Sequence, residues 1–118
     1  VNGYTEEAWV DAYPLSYIME HLNLLLSECI PAGQNTAFDL SFLYAACKRF
    51  NIKPSWERRY LDLMTLSYQV LKDMDITSLS LESVCEKLGI SNDGAHDAMV
   101  DVDRTHRAWV KLTKLLDS

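Results

Sequence analysis

The order of strand-like and helix-like segments is the feature that most limits the fold of this 118-residue chain. Two short runs, residues 29–33 and 60–65, have the apolar or alternating pattern typical of strands, although Pro31 removes a hydrogen-bond donor from the first. Helical patterns precede, separate and follow these runs. Strands joined through a crossover helix are parallel, so the sequence predicts a helix-rich α/β fold with about two short parallel strands and five to six helices.

Capping residues and apolar spacing delimit the helices. Thr5 is predicted to cap a first helix, Pro14 to begin a second, and Ser80 and Gly89 to bound a short one. Two further helices are predicted over residues 37–50 and 96–116, and another begins within residues 66–71. The core positions predicted for the two long helices are Phe38, Phe42, Leu43, Ala46, Cys47 and Phe50 in the first, and Val102, Thr105, Trp109, Leu112 and Leu116 in the second.

Two strands are few for a parallel sheet, which is normally larger and buried on both faces. The helices are therefore expected to cover a sheet whose other strands lie outside these residues. The first residue is Val1 rather than Met, and it is not followed by a basic leader or an apolar signal region. Both observations favour a chain that starts within a larger fold.

Composition limits the possible classes of protein. A hydrophobic content of 48% with 24% charged residues is typical of a soluble domain, and no apolar run is long enough to span a membrane. Three widely spaced cysteines favour free thiols in a reducing, cytoplasmic compartment over disulfides or a zinc site. The net charge of -6 excludes general electrostatic binding of a polyanion, so any contact with nucleic acid must be local or assisted by metal.

Two blocks place carboxylates in apolar surroundings. In residues 32–43, Asp39 lies between Phe38 and Phe42, where a carboxylate is costly unless it binds something. In residues 95–105, His96 precedes Asp101 by a little more than one helical turn, which brings a base and a carboxylate to one helix end. Two carboxylates and a histidine in such blocks are typical of part of a metal-dependent nuclease site.

These blocks resemble the second and third motifs of DnaQ-like, DEDDh-type 3'-5' exonucleases, which have a ribonuclease H-like fold. The second motif is carried by Gly33, Gln34, Asn35, Phe38, Asp39, Phe42 and Leu43, and the third by Leu88, Gly89, Ile90, Ala95, His96, Asp97, Ala98, Asp101 and Thr105. The resemblance covers nearly the whole chain and corresponds to the C-terminal two thirds of the family. It implies one exonuclease-like domain over residues 1–118.

The resemblance also implies roles for individual residues. Asp39 and Asp101 would bind a divalent metal, Mg or Mn, and His96 would act as general base. Hydrolysis of a phosphodiester with metal ions needs hard oxygen ligands, and a histidine can accept the proton of water near neutral pH. A further set of residues, Gln34, Asn35 and Phe42, would contact nucleic acid at a single-stranded 3' end.

The chain departs from the family pattern in two places. The Asp-x-Glu pair of the first motif is not found in a suitable context, which predicts that this chain alone is inactive or nearly so. Gln34 stands where many relatives have histidine. DNA and RNA are both open as substrates, because no residue is identified that would contact a sugar 2'-hydroxyl.

Other interpretations accompany the exonuclease hypothesis. The chain could be a noncatalytic half-fold that interacts with partners, or a homodimer that covers an exposed sheet edge. A remote alternative is an HD-type metal phosphohydrolase that uses the His96-Asp97 pair. Asp39 could be a plain surface acid, and Asn35 a helix cap. The basic pairs 48–49 and 58–59 near Trp56 could hold a strand by phosphate contact and stacking, or simply keep the surface hydrated.

Overall fold

A computed structural model describes residues 4–118 and divides the chain into two compact units. Unit 1 comprises the residues up to 31 and residues 37–60, and unit 2 comprises residues 32–36 and 61–118. The elements are α1 (Glu6–Trp9), α2 (Leu15–Leu25), β1 (Ala32–Gly33), α3 (Thr36–Arg49), β2 (Leu61–Asp62), α4 (Leu63–Leu71), α5 (Leu81–Leu88) and α6 (Ala98–Leu116). Residues 1–3, which include the Val1 considered above, lie outside the described residues.

The two strands form a parallel sheet in unit 2, with Ala32 opposite Leu61 and Gly33 opposite Asp62. This arrangement confirms the predicted helix-rich α/β fold with two short parallel strands. Each strand is shorter than the sequence pattern indicates. Residues 63–65 belong to α4 rather than to β2, because the Asp62 side chain caps that helix by accepting a hydrogen bond from the Met64 N–H at 2.9 Å.

Asp62 also organises the end of β1. Its Oδ1 accepts a hydrogen bond from the Asn35 N–H and its Oδ2 accepts one from the Thr36 N–H, both at 3.0 Å. The Thr36 hydroxyl donates in turn to the Leu61 carbonyl at 2.6 Å. One carboxylate therefore satisfies backbone donors where both strands turn into helices, donors that would otherwise need water or another cap.

The core of unit 1 lies around α2 and α3. Its buried residues are Met19, Leu40, Cys47 and Trp56. The core face predicted for α3 is partly wrong, because Phe38 and Phe42 are 58% and 63% exposed. Leu40 and Cys47 lie seven residues apart on the face that is buried, and Leu43 and Ala46 pack beside them.

The core of unit 2 is formed by α4, α5 and α6. Its buried hydrophobic residues are Leu63, Leu71, Val84, Cys85, Ile90, Ala108 and Leu112. The core stripe predicted for α6 is wrong at Val102 and Leu116, which are 63% and 55% exposed. The prediction is confirmed at Leu112, which is buried together with Arg104 and Ala108 at intervals of four residues, so the buried face includes a charged side chain that the prediction did not place there.

Several local predictions are confirmed. The Ser80 hydroxyl accepts from the Ser83 N–H at 3.1 Å at the start of α5, and Gly89 ends that helix in the left-handed conformation with φ 70°. The three cysteines are free, although Cys29 is exposed. Within the described residues, none of the helices combines the length and the apolar character needed to cross a membrane.

Candidate functional site

The start of α6 places His96 and Asp101 beside each other in unit 2. The helix begins at Ala98, two residues later than predicted, and Asp97 is its N-cap. The Asp97 carboxylate accepts hydrogen bonds from the Met99 and Val100 N–H groups at 3.0 and 3.2 Å. His96 therefore precedes the helix, and its side chain is exposed rather than packed into the first turn.

The backbone of His96 is coupled to Asp101 by a hydrogen bond. The His96 N–H donates to Asp101 Oδ1 at 3.2 Å, although the residues are five apart in sequence. His96 has a φ of 76°, in the left-handed region that residues other than glycine rarely adopt. Gly94, two residues earlier, has a φ of 78°. Such a conformation costs free energy and persists where surrounding contacts hold it, as the Asp101 carboxylate does here.

Arg104 is a third member of this group, and sequence reasoning missed it. Its guanidinium donates from Nη2 to Asp101 Oδ1 at 2.7 Å and from Nη1 to the side-chain oxygen of Asn92. Arg104 is only 4% exposed, whereas the Asp101 side chain is 34% exposed. The spacing of three residues between Asp101 and Arg104 on one helix was the available signal for this pair.

The Cys85 thiol lies within the electrostatic reach of the same arginine. Burial raises the pKa of Cys85, and the positive charge of Arg104 and a hydrogen bond from it oppose that rise. The thiol is fully buried on α5, so its neutral form is the one that packs in the core of unit 2. Cys85 therefore contributes packing around Arg104.

Asp39 lies in unit 1, in the first turn of α3. It is exposed, and the rings of Phe38 and Phe42 on either side of it meet edge to face with their centroids 5.1 Å apart. Two largely exposed phenylalanines in contact form an apolar surface patch beside a carboxylate. A common site for Asp39, His96 and Asp101 stays a prediction.

Gln34 and Asn35 make contacts within unit 2. The Gln34 amide nitrogen donates to the Leu79 carbonyl at 2.7 Å, and its amide oxygen is buried without a donor among the described residues. Asn35 has a φ of 61°, and its own N–H and that of Thr36 donate to the Asp62 carboxylate. A cap on α3 by the Asn35 side chain stays a prediction. The predicted contact of both residues with nucleic acid stays a prediction.

Trp56 is part of the core of unit 1 and does not form a stacking platform. It is 5% exposed, and its indole N–H donates to the Tyr44 hydroxyl at 3.2 Å. The interpretation of this tryptophan as a base-stacking residue between basic pairs is therefore wrong. A buried ring cannot present its face to a nucleotide.

Comparison with known proteins decides the family. Residues 1–108 match the family model RNase_T, described as exonuclease. The chain belongs to this exonuclease family. It is also 28% identical over 116 residues, 98% of its length, to proteins named DNA polymerase III PolC-type from Thermotoga maritima and from Thermotoga petrophila. The chain spans about 8% of the length of these relatives.

Membership of the exonuclease family confirms the resemblance to DnaQ-like enzymes and supports a nuclease function. The family generally uses divalent metals. Among residues 4–118, no three His, Cys, Asp or Glu side chains are clustered closely enough to hold a metal ion. Asp101 nevertheless fits the role of a single carboxylate ligand to a metal ion. Its Oδ1 accepts the hydrogen bonds from Arg104 and His96, and the side chain is one third exposed. Magnesium is commonly held by one or two carboxylates together with substrate phosphates and water.

Proposed function

We propose that this exonuclease-family domain contributes His96, Asp101 and Asp39 to metal-dependent hydrolysis of a phosphodiester at a 3' end. The observation that carries the proposal is the hydrogen bond from the His96 N–H to Asp101 Oδ1 at 3.2 Å, in a chain that matches an exonuclease family over residues 1–108. This bond couples the backbone of a proton acceptor to a carboxylate suited to Mg or Mn. The family membership supplies the reaction class.

The residues of the chain have separate roles in this proposal. Asp101 and Asp39 would hold divalent metal through carboxylate oxygens, and the bound metal would supply Lewis-acid stabilisation of the phosphate. The imidazole of His96 would accept the proton of the attacking water, because its side chain is exposed at the mouth of α6.

Single-stranded DNA is the proposed substrate. Both relatives are named as DNA polymerases, and the exposed Phe38 and Phe42 rings provide an apolar surface on which a terminal base could stack. Phe42 would be the principal stacking residue, with Asn35 and Gln34 contacting the terminal nucleotide. RNA is the competing substrate in the test below.

The experiment compares 3'-end degradation of labelled single-stranded DNA and RNA, with Mg or Mn, by the longest polypeptide that carries this domain. His96→Ala is expected to lower the rate by about 10²- to 10⁴-fold, the usual contribution of a general base. His106→Ala is the matched control, because His106 is an exposed histidine within α6, the helix that His96 precedes. Equal loss in both variants, or no loss in His96→Ala, would remove His96 from the proposed mechanism.

The isolated chain is proposed to have little or no activity, because a metal site normally needs further carboxylates from an Asp-x-Glu pair. Robust metal-dependent turnover by the 118-residue chain, abolished by His96→Ala, would overturn this part of the proposal. Degradation of RNA in preference to DNA would leave the catalytic residues unchanged and would correct the substrate.

A second candidate function is a noncatalytic interaction module that covers its apolar surface in a homodimer. Met99 and Val102 in the first turns of α6 are 76% and 63% exposed, and the two-stranded sheet in unit 2 leaves each strand with an unpaired edge. Sedimentation of the chain measures its oligomeric state directly. A clean monomer at high protein concentration would count against this candidate.

A further inference from the structure

Arg104 is the charged residue that unit 2 buries in its core. It occupies the same face of α6 as Ala108 and Leu112, both fully buried, and it is itself 4% exposed. Removing a guanidinium from water is costly unless its donors are paired and its charge is compensated. An apolar side chain at this position would pack without that cost, so the arginine calls for an explanation other than packing.

The contacts of Arg104 converge from three segments of unit 2. Asn92 lies in the loop after α5, Asp101 lies one turn earlier on α6, and Cys85 lies on α5. The planar guanidinium donates in two directions at once, to the Asn92 oxygen and to Asp101 Oδ1. Lysine presents a single point of charge and cannot reproduce this geometry.

The carboxylate that Arg104 holds is the one that holds His96. Asp101 Oδ1 accepts both the Arg104 bond at 2.7 Å and the His96 N–H bond at 3.2 Å. A carboxylate fixed through one oxygen holds its other oxygen in a defined direction, and the Asp101 side chain is 34% exposed. Contacts of this kind behind a ligand are known to fix its orientation.

We propose that Arg104 is a positioning residue of the nuclease site. Its guanidinium fixes the Asp101 carboxylate against the Asn92 loop, and Asp101 in turn keeps the backbone of His96 in its left-handed conformation. The metal part of this inference rests on the proposed function. The conformational part depends only on the bonds from Arg104 to Asp101 and from His96 to Asp101.

A competing role for Arg104 predicts the opposite change in metal affinity. A guanidinium bound to Asp101 could act as a built-in cation that excludes metal, and its removal would then strengthen metal binding. Under the positioning role, removal of Arg104 weakens metal binding, because the carboxylate loses its orientation. The sign of the change in Mn affinity therefore separates the two roles.

The test uses the full chain and two measurements. The first is the amide resonance of His96 in a ¹⁵N-labelled protein without metal, and the second is the dissociation constant for Mn²⁺ measured by electron paramagnetic resonance. Arg104→Gln is expected to shift the His96 amide and to weaken Mn²⁺ binding by about 10- to 100-fold, the range found for residues that orient metal ligands. Arg104→Lys is expected to restore only part of both.

Two further variants keep the test decisive if Arg104→Gln fails to fold. Asn92→Ala retains the charge pair of Arg104 and Asp101 but removes the second anchor of the guanidinium, so it is expected to move both measurements in the same direction by a smaller amount. Arg107→Gln removes the same charge from an exposed position on α6 and is expected to leave both unchanged.

The outcomes distinguish this inference from the proposed function. If the unaltered chain does not bind Mn²⁺, which the missing Asp-x-Glu pair would account for, the His96 amide alone decides the positioning role. An unchanged His96 amide in Arg104→Gln and Asn92→Ala overturns the positioning role whatever the metal does. Tighter Mn²⁺ binding in Arg104→Gln also overturns it and assigns the excluding role instead.

Discussion

The two units present their proposed catalytic carboxylates in different ways. Asp39 in unit 1 lies on the exposed surface of α3 between two phenylalanine rings, and the core beneath that helix is formed by Met19, Leu40, Cys47 and Trp56. Asp101 in unit 2 is attached to the core itself, through Arg104. An acidic residue of a sequence motif can therefore lie on an exposed helix surface or be bonded to a buried arginine, and the motif alone does not distinguish the two.

The largest expected effect on stability comes from substitutions in the cores of the two units. Leu112→Ala removes a fully buried side chain from unit 2 and is expected to lower the free energy of unfolding by about 3 kcal/mol. Leu40→Ala, at 5% exposure in unit 1, is the matched variant. Urea denaturation followed by fluorescence and by amide hydrogen exchange measures both.

Hydrogen exchange locates each loss. Faster exchange confined to α4, α5 and α6 in Leu112→Ala, and confined to α2 and α3 in Leu40→Ala, would show that the two units open independently. Equal acceleration throughout the described residues in both variants would break the comparison, because the units would then unfold as one.

The next effect concerns the carboxylate of Asp62. Asp62→Ala removes the acceptor for three backbone N–H groups, those of Asn35, Thr36 and Met64, and is expected to cost about 2 kcal/mol. Denaturation with urea checks the magnitude. Asp103→Ala is a control, because Asp103 is an exposed acid on α6 with a single long contact to Arg107. A loss below that of the control would show that water replaces these bonds without cost.

The sequence predicted features that depend on neighbours in the chain. The Ser80 cap, the Gly89 end of α5 and the parallel strand pair follow from local spacing, and the structure contains all three. The role of Asp62 was not predictable in this way, because its partners Asn35 and Thr36 lie more than twenty residues away. Its position just before a helix was consistent with a cap for Met64 alone.

The errors on the faces of the two long helices arose because apolar spacing alone was used to assign the buried positions. The apolar stripe predicted for α6 contained Val102, whereas the buried face runs through Arg104, because Asn92 and Asp101 compensate a charge that hydropathy assigns to solvent. In α3 the spacing assigned Phe38 and Phe42 to the core together with Cys47, yet both phenylalanines are exposed and Leu40 is the residue buried with Cys47. The proximity of His96 to Asp101 followed from their spacing, but the residue behind them required the fold.

The pH dependence of stability extends the comparison to a buried thiol in each unit. Burial raises the pKa of Cys47 in unit 1, and it raises the pKa of Cys85 in unit 2 against the opposing charge of Arg104. A thiol with a raised folded-state pKa favours the folded protein below the unfolded pKa and loses that contribution as pH rises. Stability is therefore expected to fall as pH rises above 9.0, the ordinary thiol value.

Thermal melting at a series of alkaline pH values checks this fall. Cys47→Ala and Cys85→Ala are each expected to flatten the alkaline part of the profile, and Cys29→Ala, which alters an exposed thiol, is the control. Only the slope against pH is compared, since the cavity that each buried variant leaves lowers stability at every pH. An unchanged slope in both buried variants would assign the alkaline loss to other groups.

The smallest effect separates the two ion pairs of α6. Asp103 and Arg107 approach to 4.0 Å with side chains 66% and 52% exposed, whereas Asp101 and Arg104 approach to 2.7 Å around a buried guanidinium. An exposed pair one turn apart contributes less than about 0.5 kcal/mol, because water screens it and both side chains lose freedom. Arg107→Gln is therefore expected to change the midpoint of urea denaturation barely measurably. A loss of stability as large as that of Arg104→Gln would show that burial of the guanidinium adds nothing. The buried ion pair and the exposed ion pair of α6 would then not differ in energy.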